Sequence, residues 1–572
     1  MGSATDSRVE KSIARAAEAL FASQRSSGSW PNRRPTSVMG TAGALTALHL
    51  ADRERSQDLV DGGVQWLLGA QNADGGWGGS VGTATQVVPT VIAATALRMA
   101  APHRTGESVR RAMDLVASHG GVEALPDPGM THVTSAFLAL AELRDMRDLR
   151  RVPLEVFLLP PWLWRRRLSF SVPLLVALAF IQRPHSRPRG LLGMLARPAG
   201  RAGLRALQQV EIAETRRGGY GGDNWLASAV CVGLSRAEEA PRRATLDVVD
   251  YLRSNVHADG SWHLIQGLDL IGSAYVTRGL AEAGYADDPR LVRARTWLRG
   301  CQQDEASPVF DAPAGGWSWE GPRGWPNFLD TAVVLSALTA GGVEEPDEQL
   351  RHGLRWLESR QDRKGSWGTF IPDTAFPNDG PCPYATAQCV DVLAENGTRR
   401  DDPRIRRAVN WLLARQRTDG TYEALWYRGL TPGTAMALVA FSRVGLADHP
   451  VARRARDALV RAQLGDGSWG PGRKGRLGDD PSTGTVEETA WALRALLASG
   501  MPADDPRARR AADWIASAQQ PDGLWRPSPV HMYIRDLTYY VDGLIVQGLA
   551  LKALGRYRAA LAGEPSEGRE VS

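Results

Sequence analysis

The residue types best suited to chemistry gather between Gly315 and Val334. Gly315-Gly316-Trp317-Ser318-Trp319-Glu320 places a carboxyl beside two indoles. Pro326-Asn327-Phe328-Leu329-Asp330-Thr331-Ala332-Val333-Val334 places a second carboxyl at the start of an apolar helical pattern that runs to about Leu338. Polar groups at the mouth of an apolar segment, with aromatics nearby, suit a reaction site in an apolar cavity. The same residues also suit a turn followed by a buried helix, and the local pattern leaves both readings open.

The elements that must position this stretch announce themselves as a repeat. Gln24 to Trp30 recurs as Gln71 to Trp77, Gln361 to Trp367, Gln416 to Tyr422, Gln463 to Trp469 and Gln519 to Trp525. Each copy has Gly four places after the Gln and an aromatic six places after it. Looser copies end at Tyr220, at Trp262, where Val256 takes the Gln place, and at Trp317, whose loop from Gln303 is longer. Helical patterns precede and follow most copies, as in Ile13 to Ala22, Arg407 to Ala414 and Thr485 to Leu497. Helical hairpins repeated in this way each have one apolar face and need a neighbour to cover it. The Asp-Gly in several copies supplies the tight turn, and the aromatic is expected to stack on the Gln amide or pack under the next turn. Most of the 19 Trp residues are therefore expected to be structural.

A chain of 572 residues, 43% hydrophobic and 23% charged, is globular and long enough for two or more cores. Its net charge of +5 comes from Arg dispersed among acids, which argues against nucleic acid as a partner. Cys231, Cys301, Cys382 and Cys389 form neither a disulfide framework nor a metal pattern. Met1 to Lys11 is polar and charged, so the expected location is cytoplasmic, and no clean 20-residue spanning segment stands out.

Two blocks interrupt the repeats. Pro153 to Arg183 joins an apolar, Trp-bearing stretch to Arg165, Arg166 and Arg167 and then to a second apolar helix; Arg187 to Arg205 is basic and Leu-rich. A monotopic surface on the inner face of a membrane fits these blocks, as does a buried hairpin with its Arg residues at the solvent end. Asp287-Asp288-Pro289, Asp401-Asp402-Pro403 and Asp504-Asp505-Pro506 precede helices and read as caps. A domain boundary is expected at about 250: an N-terminal domain over 20–250 with a membrane-facing insert at 153–205, and a C-terminal domain over 251–572 joined by residues 1–19.

The repeats resemble the aromatic-rich "QW" repeats of the squalene–hopene and oxidosqualene cyclase family and of the related two-domain class II diterpene cyclases. The resemblance covers nearly the whole chain. It is most specific in Gly315-Gly316-Trp317 leading to Leu329-Asp330-Thr331-Ala332, in Thr489-Ala490-Trp491-Ala492-Leu493, and from Asp536 through Tyr539 and Tyr540 to Tyr557. It implies an all-α fold of two (α/α) barrel domains built from helical-hairpin repeats, around an apolar cavity that folds a polyprenyl or terpenoid substrate. Trp319, Trp325, Phe328, Leu329, Tyr384, Gln388, Trp426, Tyr427, Tyr533, Tyr539 and Tyr540 fall in stretches that line or adjoin that cavity in the family. Aromatic faces there would stabilise passing carbocations.

The family's reaction begins with a proton from the middle Asp of Asp-x-Asp-Asp, followed by Thr-Ala. The matching residues here are Asn327, Phe328, Leu329 and Asp330, so the donor position is Leu. The squalene-type cyclases also place a His near the acid, in a segment ending Val-Thr-Ala-His; the match here ends at Gln388, with Tyr384 at a nearby acidic position. The resemblance thus implies an atypical cyclase. A relocated acid is one route, with Asp330, Glu320 and Asp379 as candidates, although Asp330 equally suits a helix cap. Ionisation of an allylic diphosphate by Arg323, Arg428 or Arg535 is a second; Mg2+ enters only for such a substrate, and no other cofactor or metal is expected. Asp223 and Asp269 stand unexplained. A non-catalytic isoprenoid-binding protein is the third. A protein prenyltransferase β subunit would need a zinc site that Cys382, Cys389 and His531 do not form. Peripheral membrane contact and a homodimer complete the expected partners.

Overall fold

The computed structural model describes residues 2–32, 36–185, 190–212, 217–340, 347–472 and 482–564. The regular structure of the described chain is helical, apart from the short strands His531–Ile534 and Thr538–Tyr540. It divides into two compact units. One comprises residues 1–34, 268–535 and 541–572, the other residues 35–267 and 536–540.

In the larger, C-terminal unit, six described helices form a closed inner ring: Asp269–Leu280, Phe328–Thr339, Pro383–Glu395, Thr431–Arg443, Val486–Ala498 and Ile545–Leu561. Each packs on the next, and the last packs on the first. These helices are apolar on nearly every side, and Val486–Ala498 is buried at every residue, as expected of a helix with neighbours all round. Outside them lie Pro289–Gly300, Glu348–Ser359, Pro403–Leu413, Pro450–Ala462, Pro506–Ser517 and the N-terminal helix Gly2–Ser23. These have one buried stripe; in Glu348–Ser359 it consists of Leu350, Gly353, Trp356 and Leu357. The expected Asp caps are in place: Asp288, Asp402 and Asp505 accept the backbone N–H two residues on. The N-terminal unit repeats the plan with a ring of Val38–Ala51, Val87–Ala100, Pro128–Leu140, Val172–Gln182 and Asn224–Ser235.

The Gln-to-Trp loops join each outer helix to the next inner one with a recurring set of hydrogen bonds. The indole N–H donates to a helix carbonyl: Trp30 to Leu20, Trp317 to Leu298, Trp367 to Leu357, Trp469 to Leu459 and Trp525 to Ile515, all within 2.9 Å. The Gln amide donates twice, to its own loop Gly and to the first turn of the next outer helix. Gln361 reaches Gly365 and Arg404, and Gln463 reaches Gly467 and Arg507. Each amide thus has both donors satisfied by carbonyls, one of them on the next outer helix, and that bond ties one hairpin to the next. In the long loop it is the side-chain amide of Gln302, not that of Gln303, that donates to the Gly315 and Gln349 carbonyls.

The 153–205 region separates into different parts. Val172–Gln182 is an inner helix, buried at nine of its 11 residues, so this apolar stretch belongs to the core and not to an insert. Gly190–Ile212 packs on it and on the 154–158 turn. Leu158, Leu159, Trp162 and Leu163 are exposed, Trp162 by 70%. They lie directly before Arg165 to Arg167. Residues 186–189 of the basic segment lie outside the described residues. Among the described residues, no helix is long and apolar enough to cross a membrane.

Candidate functional site

All the Gln-to-Trp loops of the C-terminal unit end at the N-termini of its inner helices, so the polar residues that begin these helices share one end of the ring. Asn327 caps Phe328–Thr339: its Oδ1 accepts the Asp330 N–H at 2.8 Å, while its Nδ2 donates to Asp330 Oδ2 at 2.5 Å. Capping is thus done by Asn327, leaving the Asp330 carboxyl for another purpose. Asp330 is only 6% exposed. Burial pushes it from the ordinary 3.8 up to about 7, against the opposing effect of the Asn327 amide. A carboxyl in this state still carries its proton near neutrality.

The other two acid candidates sit differently. Asp379 is fully buried, and its carboxylate accepts the backbone N–H groups of Thr369, Phe370 and Ile371. It is occupied in holding that loop. Glu320 is half-buried in a turn pinned by Ser318, whose Oγ accepts the N–H of Glu320 and of Gly321. Glu320 follows Trp319, which meets Trp325 and Phe370 edge to face at 6.1 and 6.0 Å; Phe310 stacks on Phe370 at 5.0 Å. Phe310 and Phe370 were not singled out in the sequence because neither lies in a repeat.

Phe328 faces away from the ring's axis, against Trp356 of the outer helix at 5.7 Å. Leu329 lies on the same stripe as Val333 and Ser336, which face the interior; the donor position of the family therefore points inward here, but with an alkyl group. Tyr384 and Tyr427 belong to one aromatic layer. Their rings are 4.7 Å apart, Trp491 lies 4.9 Å from Tyr427, and the Tyr427 hydroxyl is 3.1 Å from that of Tyr275. Burial and Tyr275 push the Tyr384 phenol well above its usual range. His531 borders the layer, 5.3 Å from Tyr427, with its imidazole pushed down to about 3 by burial. Trp426 is half-buried and donates to Thr369 Oγ1, while Tyr533 lies half-buried on the following strand. Tyr539 and Tyr540 fall in the N-terminal unit, where the Tyr539 N–H donates to Gln86.

One helical turn below the aromatic layer the interior becomes ionic. Arg278 bonds the Ser336 carbonyl and Glu395; Arg494 and Arg443 both meet Asp391, at 2.7 and 2.9 Å. These pairs bridge the ring, and the space left among them, Tyr275, Gln388 and Lys552 is ≈ 40 Å³. That is a floor, too small for a prenyl chain. A network of this kind is costly to break at one member.

Two of the three arginines that could capture a diphosphate are already engaged. Arg428 makes a two-pronged buried pair with Glu488 at 2.9 and 3.0 Å, and Arg535 pairs with Glu423 at 2.7 Å; Arg323 is exposed. The two unexplained acids have local roles: Asp223 caps Asn224–Ser235, and Asp269 accepts from Arg25 and from the Asn32 N–H. Among the described residues, no group of three or more His, Cys, Asp or Glu comes together as a metal site.

These features define an (α/α)-barrel protein with a buried carboxyl at the mouth of an aromatic-lined ring. The same fold is seen in ent-copalyl diphosphate synthase from Streptomyces platensis, with a TM-score of 0.51 and 19% identity, over 97% of this chain and 99% of that one. Family models for the squalene-hopene cyclase N-terminal and C-terminal domains match residues 13–173 and 311–559. Squalene–hopene cyclase of Alicyclobacillus acidocaldarius is 27% identical, covering 90% of this chain and 92% of its own; that of Zymomonas mobilis is 23% identical, over 91% and 90%. The chain belongs to the squalene–hopene cyclase family.

Proposed function

We propose that the protein is a class II-type terpene cyclase that starts its reaction from Asp330. The observation that carries this reading is the state of that carboxyl: buried, protonated near neutrality, not used as a cap, and bonded on one oxygen by the Asn327 amide. Proton transfer from the free Asp330 oxygen to a terminal alkene or epoxide of a linear isoprenoid makes a C–H or O–H bond and leaves a cation at the adjacent carbon. The Asn327 amide then stabilises the carboxylate left behind. Tyr384, Tyr427 and Trp491 present π-faces that stabilise the moving charge without a strong nucleophile to trap it. The engagement of Arg428 and Arg535 by carboxylates weighs against ionisation of a diphosphate by these residues.

The test is incubation in heavy water with linear polyprenyl alcohols, diphosphates, hydrocarbons and epoxides of several chain lengths. The expected product is cyclised. An alkene-started reaction carries one deuterium at its initiating carbon, and Asp330→Asn loses turnover by about three orders of magnitude or more. Undiminished turnover by Asp330→Asn overturns this reading.

The exposed Leu158, Leu159, Trp162 and Leu163 beside Arg165 to Arg167 support peripheral contact with an anionic membrane, the natural reservoir of such substrates.

A further inference from the structure

Glu487 is a further buried acid, one of a Glu-Glu pair that residue spacing does not single out. It is the second residue of the inner helix Val486–Ala498 and has no solvent exposure. Its Oε1 accepts the Ser528 N–H at 2.8 Å, while its Oε2 is buried without a partner. Its neighbour Glu488 is the one held by Arg428 and by the Thr485 hydroxyl. The two adjacent carboxyls therefore divide into a fixed, paired anion and one with an uncommitted oxygen.

The direction of that side chain follows from helix geometry. Residues 487, 490, 491 and 494 fall at i, i+3, i+4 and i+7, a single stripe. Ala490, Trp491 and Arg494 line the interior, so Glu487 lies on the inward stripe, one turn above Trp491 of the aromatic layer. Within the ring, the helix of Asp330 packs on Asp269–Leu280 and Pro383–Glu395, while the helix of Glu487 packs on Thr431–Arg443 and Ile545–Leu561. The two share no neighbour and stand opposite each other, with axes about 16–20 Å apart for six helices at ordinary spacing. Both acids occupy the first turn of their helices, at the same end. Burial, reinforced by the Glu488 charge, pushes Glu487 up to about 7 against the opposing Ser528 N–H, so a proton can reside on it or leave it near neutrality.

We infer that Glu487 is the terminating base of the cyclisation, a catalytic residue whose free Oε2 takes the proton that ends the cation cascade. This rests on the proposed cyclase reading. The step balances: a C–H bond beside the last cationic carbon breaks, its electron pair forms the C=C bond of the product, and the proton passes to Oε2. One proton enters from Asp330 and one leaves to Glu487, so the substrate is isomerised with no net gain or loss. Re-equilibration through solvent resets both carboxyls.

The test uses the full chain and whichever linear substrate the wild type cyclises. Glu487→Gln keeps an acceptor for the Ser528 N–H but removes the base. It is expected to consume substrate, label an alkene substrate from heavy water and depend on Asp330 as before, while at least half of its product shifts from the wild-type alkene to water-trapped alcohol or alkene isomers. Glu487→Asp, which retains a base, is expected to restore the wild-type alkene as the main product; it also serves as the second variant if Glu487→Gln does not fold. An unchanged product distribution in Glu487→Gln, with Asp330 still required, overturns the assignment of Glu487 alone. Absence of any cyclised product from the wild type overturns the cyclase reading and this inference together.

Discussion

A carboxyl that stays protonated in the folded chain begins to cost stability as soon as the pH passes the value at which the unfolded chain ionises it. Asp330 is pushed from 3.8 to about 7 and Glu487 from 4.5 to about 7. Over those intervals the native state holds protons that the unfolded chain has released. Their contribution to stability is therefore complete below the unfolded values and lost as pH rises through about 7. For Asp330 the change is on the order of 4 kcal/mol. His531, pushed down from 6.5 to about 3, works in the opposite sense: its contribution is present above 6.5 and lost as pH falls towards 3. Between about pH 5 and 6.5 two carboxyls outweigh one imidazole. Of these three groups, the expected outcome is a urea midpoint that declines between roughly pH 5 and pH 8, with a shallower decline in Asp330→Asn. Activity follows the protonated acid, so turnover started from Asp330 is expected to fall about tenfold per pH unit above about 7 in a pH–rate profile. The candidate at this scale was legible, because Asp330 survives at a recognisable position. What separated it from a helix cap was the Asn327 side chain, whose two hydrogen bonds depend on a local geometry that residue spacing does not specify. Glu487 was hidden for another reason: Glu-Glu at a helix start reads as ordinary solvated charge until the helix is known to be buried on every side.

The loops show the converse, residues that look catalytic and are structural. The Trp317 N–H donates to Thr331 Oγ1, and the same bond joins Trp367 to Thr386, Tyr422 to Thr434 and Trp469 to Thr489. Thr331 therefore belongs to the repeat, and its presence after Asp330 carries no information about proton transfer. The separations within these pairs, 14, 19, 12 and 20 residues, differ enough to blur the pattern in the sequence, whereas the Gln-to-aromatic spacing is the same in all the clear copies. Thr386→Val is expected to leave the Trp367 N–H buried and unpaired, lowering stability by about 1–3 kcal/mol in urea denaturation. Trp367→Phe removes the donor to the Leu357 carbonyl as well as part of the ring, and is expected to cost at least as much. Neither substitution touches Asp330 or Glu487, so below the melting transition turnover should be largely retained.

Helical hairpins were visible in the repeats, and their closure into rings followed from the family resemblance, but the assignment of Val172–Gln182 was not visible. An apolar run of this length has the same composition whether it lies in a core or on a lipid surface, and neighbouring helices decide. The remaining exposed patch makes a direct prediction. Trp162→Ala with Leu163→Ala is expected to weaken co-sedimentation with vesicles containing anionic lipid by about tenfold or more, from the apolar area lost. Equal recovery of the variant and the wild type on vesicles would argue that this patch makes no membrane contact. The ring of the C-terminal unit has a further consequence. Gln519 donates to the Ser12 carbonyl and Gln24 to the Arg290 carbonyl, so Gly2–Ser23 is the segment that joins the last hairpin to the first. During synthesis this helix leaves the ribosome well before its neighbours Pro506–Ser517 and Ile545–Leu561, which lie some 500 residues further along the chain. The face it turns to them stays uncovered while the intervening residues are made, at roughly 5–20 residues per second. The ring of the C-terminal unit therefore closes only once Ile545–Leu561 has been made, long after Gly2–Ser23.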